Sequence, residues 1–147
     1  MDSTMPTNNN LITSKDIVYF RMASQLAEFS TYRKSPTGCI IVYKNKVIST
    51  GFNKDKTDPL QKIYNIHRNI SLDSPPKCHA ETDAIKHLIG AENINWNMIS
   101  LYIVRLRKSI QYGLARPCAS CMQLIKDCGI HHIYYTTNNG YAYEYIE

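Results

Sequence analysis

Short runs of β-branched and aromatic residues alternate along this chain with stretches whose apolar positions recur at helical spacing. No other feature constrains the fold as tightly. Ser14 is placed to cap a helix beginning near Lys15, where Ile17, Phe20, Ala23, Leu26 and Ala27 share a face; the pattern fades by Tyr32, ahead of Ser35-Pro36. Cys39 to Tyr43 is an apolar run, Lys44-Asn45-Lys46 a turn, and Val47 to Thr50 the returning strand of a hairpin closed by Gly51-Phe52-Asn53. Residues 54–77, punctuated by Asp58-Pro59 and Pro75-Pro76, read as a long functional loop with one helical turn around Leu60 to Ile66. His79 to Ile89 carries a second helix stopped by Gly90, and Ile99 to Leu106 a third strand. Pro117 to Cys128 is a third helix with proline in its first turn and Gly129 after it, and Ile130 to Thr137 is a fourth strand. Asn139-Gly140 then signals a hairpin into Tyr141 to Ile146, which predicts an antiparallel last strand. Helix, hairpin, helix, strand, helix, strand, strand is the order of a layered α/β domain whose sheet is partly parallel.

The chain has 147 residues, enough for one domain over 14–147 behind a loose Thr- and Asn-rich tail at 1–13. It has no apolar run of about 18 residues to span a membrane, and its first residues do not read as a secretory signal. The expectation is a soluble cytoplasmic protein with no membrane partner. Seventeen Lys and Arg against 12 Asp and Glu leave a net charge of +5. That suits an anionic small substrate or a nucleic acid, and solvated surface lysines account for it equally well. Five cysteines, two of them in Cys-x-x-Cys, point away from export to metal or redox chemistry.

Two motifs hold residues with chemistry, His79-Ala80-Glu81 and Pro117-Cys118-Ala119-Ser120-Cys121, and each opens a predicted helix that leads into a strand. If those strands are parallel neighbours, both helices start at the same sheet edge on one face, and His79, Cys118 and Cys121 converge. One imidazole and two thiolates suit tetrahedral zinc. Cysteines three apart share a helical face, and free N–H groups at a helix start favour the thiolate. Three protein ligands leave a coordination position for water, as in catalytic sites. Two thiolates cancel the formal charge of the cation, so that water is less acidified and a neighbouring base is useful. Glu81 can reach it while staying off the metal. Cys78, if helical, points about 100° away from His79, and Cys128 lies about 10 Å along the helix from Cys121. Spacing leaves Cys39, His67, His131 and His132 open as a fourth ligand, although core thiols explain Cys39 and Cys128 more simply.

A lone Cys-x-x-Cys could be a redox pair or half a structural zinc site. Its occurrence after His-x-Glu, with proline before the first cysteine, is the signature of zinc deaminases. From about Lys15 to Tyr135 the chain resembles the cytidine/deoxycytidylate deaminase superfamily. The matching pieces are Thr37-Gly38-Cys39-Ile40-Ile41, Gly51-Phe52-Asn53, the two motifs above, and Gly129-Ile130. The resemblance implies a three-layer α/β/α fold on a five-stranded mixed sheet, Zn2+ on His79, Cys118 and Cys121, and a homo-oligomer. It also implies hydrolytic deamination, in which zinc-bound hydroxide attacks the carbon bearing the exocyclic amine while Glu81 shuttles protons to the ring nitrogen and the departing ammonia. By the same resemblance the Ala80 N–H binds a substrate oxygen and Asn53 contacts the sugar. Asn53 also reads as a turn-closing residue. Arg116, directly before the Pro-Cys pair, is either a phosphate or flanking-nucleotide contact or a solvated loop arginine.

The expected substrate is a free pyrimidine nucleotide or nucleoside, deoxycytidylate first, because the chain is minimal in size and basic. It departs from the deoxycytidylate pattern in following Asn53 with Lys54-Asp55-Lys56 instead of Gly and Pro. It also has no obvious second cysteine/histidine cluster, and its last strand is antiparallel where such relatives often place a helix and a parallel strand. The alternative is a polynucleotide deaminase acting on single-stranded DNA or RNA. Arg105 and Arg107 share a strand face, Lys108 and Arg116 are near in sequence, and 11 tyrosines offer stacking platforms. Tyr141, Tyr143 and Tyr145, however, alternate as in any half-buried strand. A non-catalytic zinc module has no use for Glu81.

Overall fold

The computed structural model describes residues 12–68, 70–71, 74–108 and 111–147, so most of the expected N-terminal tail, up to residue 11, lies outside the described residues. Helix α1 (Ser14–Ala27) starts on Thr13, one residue earlier than predicted. The Thr13 hydroxyl accepts from the Asp16 amide at 3.2 Å, and the Asp16 carboxylate accepts from the Thr13 amide at 2.9 Å. This reciprocal box needs a carboxylate three residues after the cap. A cap at Ser14 would find Ile17 there.

Strands β1 (Thr37–Tyr43) and β2 (Lys46–Phe52) form the predicted hairpin. The turn is two residues instead of three: Lys44 and Asn45 both take left-handed backbone (φ 51° and 65°), and Lys46 already pairs with Tyr43. Two left-handed central residues match the twist of the flanking strands. Helix α2 (Pro59–Tyr64), extended by a 3-10 turn at Asn65–His67, supplies the helical turn expected inside the long loop. Helix α3 (Ala80–Lys86), strand β3 (Ile99–Leu106), helix α4 (Ala119–Cys128), strand β5 (His132–Thr137) and strand β6 (Gly140–Tyr145) follow. Between β3 and α4 lies β4 (Tyr112–Gly113), which sequence periodicity missed because two pairs are too few to show a period.

The sheet order is β2-β1-β3-β5-β6, with β4 paired to β3. β3 and β5 are parallel neighbours joined through α4, and the remaining pairs are antiparallel, β5–β6 included. The Asn139-Gly140 turn therefore decides the direction of the last strand. Alternation along the central strands builds two cores. Cys39, Ile41, Leu101, Ile103 and Ile133 pack with Ala84, Ile85, Leu124 and Ile125 of α3 and α4. Ile40, Val42, Tyr102 and Val104 pack on the other face with Phe20 and Ala23 of α1. The result is the expected α/β/α layering. Tyrosines on β5 and β6 mostly pack among themselves and against α1: Tyr141 lies 4.3 Å from Phe20 and Tyr143 lies 4.8 Å from Tyr134, centroid to centroid.

Candidate metal centre

With β3 and β5 parallel, α3 and α4 present their N-termini at one sheet edge. His79 is the N-cap residue of α3 and Cys118 that of α4, both in extended backbone and neither spending its side chain on the cap. The helix starting at Ala119 places Pro117 before the cap and not within the first turn. Cys121 stands in the first turn of α4, fully buried. The His79 Nδ1 atom lies 3.3 Å from Cys121 Sγ and 3.5 Å from Cys118 Sγ, and the three ligand atoms all fall within 4.8 Å of one another. A nitrogen at about 2.1 Å and a sulfur at about 2.3 Å from a tetrahedral zinc sit about 3.6 Å apart. The observed separations match that edge closely, so the residues fit the ion.

Among the described residues this is the single cluster able to hold a metal, and no fourth side chain joins it. His131 is hydrogen-bonded to the Ile146 carbonyl at 2.5 Å, and His132 to the Tyr143 hydroxyl at 2.7 Å. Cys78 is buried, with its thiol donating to the His79 carbonyl at 3.5 Å. Cys39 is a core thiol as expected, whereas Cys128 is only half-buried. Burial, then the charges of Glu81 and Asp83, push the Cys39 thiol far up.

Hydrogen bonding from Cys121, and after it from His79 and the Ser120 hydroxyl, pulls the Cys118 thiol down to about 3, against the opposing effect of burial. Cys121 moves the opposite way, raised by its bond to Cys118 and by burial. Burial disfavours charge on His79, yet its bond to Cys118 and the charge of Glu81 outweigh this and raise it. Glu81 is 5% exposed on the wall beside the cluster, and burial lifts its carboxyl above the usual range although the His79 charge opposes that.

Sequence reasoning missed the residue that binds the two motifs together, Gln61 of α2. It is fully buried. Its Oε1 accepts from the His79 amide at 3.1 Å and the Thr82 hydroxyl at 2.7 Å; its Nε2 donates to the Ser120 hydroxyl at 3.3 Å and to Asn65 Oδ1 at 2.8 Å. Ser120 Oγ in turn lies 3.1 Å from Cys118 Sγ. Buried Asp83 locks α3 to the end of β2, accepting from the Phe52 amide at 3.1 Å and pairing with Lys54 at 2.5 Å. No local sequence signal marks these partners. Asp58-Pro59 does announce the start of α2, as Asp58 Oδ1 caps the Leu60 and Gln61 amides at 2.9 and 3.1 Å.

A cavity of about 540 Å³ opens beside the cluster, lined among others by Asn53, Arg68, Ala80, Glu81, Arg105 and Arg116. Asn53 does the turn-closing work: its Oδ1 accepts from the Thr37 amide at 2.9 Å and the Ser30 hydroxyl at 2.5 Å, and its Nδ2 donates to the Ser35 carbonyl at 2.8 Å. One amide hydrogen remains on that nitrogen. Ala80, the first residue of α3, carries one of the first-turn N–H groups without an intrahelical acceptor. Arg116 is not a free cation. It grips fully buried Glu144 with two bonds, 2.6 and 3.1 Å, and Tyr135 donates to the same carboxylate at 2.6 Å.

A layered sheet with two helix N-termini converging on one imidazole and two sulfurs defines a zinc-binding domain, with three side chains placed to hold the ion and a carboxyl beside them. The chain belongs to the cytidine and deoxycytidylate deaminase family: the sequence model of its zinc-binding region matches residues 13–137. The fold is similar to that of the dCMP deaminase of cyanophage S-TIM5 in apo form, at 20% identity and a TM-score of 0.57, covering 89% of this chain and 86% of that one. It is also similar to the cytidine deaminase of Burkholderia pseudomallei, at 14% identity and a TM-score of 0.56, covering 95% and 93%. For the cytidine deaminase of Mycobacterium leprae the values are 18%, 0.52, 83% and 87%. Comparison with curated protein sequences yields no match. Zn2+ is the cofactor that the family and the ligand cluster assign. No helix among the described residues is long and apolar enough to cross a membrane.

Proposed function

We propose that the protein is a zinc-dependent hydrolase that deaminates a cytosine-type base in a free nucleotide or nucleoside, converting dCMP to dUMP as the first choice. The observation that carries this reading is the buried Glu81 carboxyl on a nucleotide-sized cavity wall, two residues from a metal ligand and outside the ligand set. Zinc, when bound, supplies a Lewis acid that makes a water molecule easier to deprotonate.

Glu81 accepts one proton from that water and delivers it to the ring nitrogen as the oxygen bonds to the amine-bearing carbon, then takes the second proton from the resulting hydroxyl and delivers it to the amine, so that the C–N bond breaks and ammonia leaves. Its burial-raised carboxyl suits a group that must both take and give a proton near neutrality. The Ala80 N–H binds the base oxygen, the remaining Asn53 amide hydrogen meets the sugar, and Arg116 turns its unpaired edge to the substrate. Assembly as a homo-oligomer and a place in nucleotide metabolism belong to the same proposal.

The test incubates zinc-loaded protein with cytidine, deoxycytidine, their monophosphates and a cytosine-containing oligonucleotide. Turnover confined to the oligonucleotide would replace this reading with the polynucleotide one. Glu81→Ala should keep its zinc and lose about 10²–10⁴-fold in rate. Full activity in that variant removes Glu81 from its role.

A further inference from the structure

Helix α1 turns Tyr19, Phe20, Ala23 and Ala27 inward. Its opposite face is not a purely polar one. Val18, Met22 and Phe29 are 51%, 37% and 67% exposed, and with Gln25 they fall within about 60° of arc. Glu28 keeps helical backbone at φ −66°, and the Phe29 and Ser30 amides bond back to the Leu26 and Ala27 carbonyls, so Phe29 continues the turn. Its ring rests on Phe52 at the end of β2, with centroids 6.2 Å apart. One exposed apolar side chain means little, but a row at spacings of four, three and four residues is the seam of a helix pair.

Two charges flank this row on one side. Arg21 and Glu28 are both exposed, about 60–80° of arc from Val18. Neither has an ion-pair partner among the described residues. Turned end for end, the row is complementary to itself. About a two-fold axis midway between Met22 and Gln25, Val18 of one copy stands level with Phe29 of the other, and Met22 with Gln25. The same operation sets the charged side against the charged side. Arg21 then lies two residues, about 3 Å, along the axis from the other copy's Glu28. The two Arg21 residues are five residues apart, about 7 Å, and the two Glu28 residues nine, about 13 Å. Opposite charges are therefore brought together and like charges held apart. A parallel pair would instead set arginine on arginine. A foreign helix would need to carry the same pattern of charge and apolar rows, which a second copy carries by symmetry.

We propose that the outer face of α1 joins two copies of this chain as an antiparallel two-fold dimer, with Val18, Met22, Gln25 and Phe29 at the centre of the contact and Arg21–Glu28 pairs at its rim. This gives a surface to the homo-oligomer of the reading above and rests on that reading only for the expectation of assembly. α1 packs on the sheet face opposite α3 and α4, so the contact takes in no residue of the metal cluster. A helix of 14 residues is about 21 Å long and covers less than the roughly 800 Å² per partner of a standard interface. The dimer should accordingly dissociate at micromolar concentrations.

Sedimentation velocity on the zinc-loaded full chain, from about 1 to 500 μM, tests this without any substrate. Wild type should pass from monomer to dimer across that range. Met22→Glu places two carboxylates at the centre and should stay monomeric with an unchanged Tm. Arg21→Glu should weaken association by about 5–50-fold, because two attractive pairs become repulsive, and Glu28→Arg should do the same. The double variant Arg21→Glu, Glu28→Arg exchanges the signs and should return to within about 3-fold of wild type, a rescue that shrinks at high salt. A monomeric wild type, an oligomer whose mass Met22→Glu leaves unchanged, or a double variant no better than the single ones would each overturn the contact. So would a drop of several degrees in the Tm of Met22→Glu below the association range, which would assign the row to cover from within the same chain. A dimer that obeys the charge exchange but deaminates nothing would sink the reaction and keep the contact. Deamination by a wild type that stays monomeric would do the reverse.

Discussion

Replacing Gly51 by alanine isolates how closely α3 must sit on the sheet. Gly51 lies on β2 beneath the first turn of α3, and a Cβ there would stand 2.5 Å from the Ala84 amide nitrogen and 2.6 Å from the Ala80 carbonyl oxygen. Ordinary contact begins at 3.4 Å, so α3 or the strand must give by about 0.8–0.9 Å. Both neighbours are backbone, and neither can rotate away. Overpacking of this kind costs about 1–3 kcal/mol, which in a domain of this size lowers Tm by about 2–12 °C. The same displacement carries His79 and Glu81 with α3. A misplacement near 1 Å costs about 10²-fold in rate. Thermal melts and steady-state deamination measure the two effects separately. Gly90→Ala is the control: a Cβ there meets nothing within 4 Å, and its positive φ of 87° should cost about 1 kcal/mol without altering turnover. If Gly51→Ala matched wild type in both assays, the claim that backbone contact between β2 and α3 positions the site would be wrong.

Gln61→Leu keeps much of the volume of a buried side chain while deleting four hydrogen bonds, and it should weaken zinc affinity by about 10–100-fold in a chelator competition, before any assay of rate. Cys121→Ser should release the metal outright, visible by elemental analysis, and lower Tm. Asp58 gives a pH signature. Burial raises its carboxyl, but the bonds from Lys86 and from the Gln61 and Leu60 amides outweigh this and hold it below its usual value. A group depressed in the folded state contributes stability above its unfolded pKa, near 3.9, and that contribution disappears as pH falls through the lower folded value. Asp58→Asn should therefore flatten the acid limb of a Tm-against-pH curve, and an unchanged limb would show that the Lys86 pair contributes nothing.

Some of the site was readable because its signals are local. His79, Cys118 and Cys121 stand at helix starts, where proline, cap position and a three-residue spacing all leave marks in the chain. The strand alternation that separates Cys39 and Ile41 from Ile40 and Val42 is equally local, as is the Asn139-Gly140 turn that reverses β6. Gln61 left no such mark, since its partners lie 18, 21 and 59 residues away. The partner of Arg116 left no mark for the same reason: the Glu144 carboxylate that it grips is 28 residues downstream.

Residue type and short-range period alone marked the candidate ligand cluster, the acid beside it and the alternating layers. Tertiary structure decided which polar groups are spoken for. Periodicity acts over a few residues along the chain, whereas a hydrogen bond or ion pair depends only on distance in space. Lys54, Lys77 and Arg116 of the cavity wall are therefore neutralised, by Asp83, Asp55 and Glu144, through contacts that the order of residues does not display.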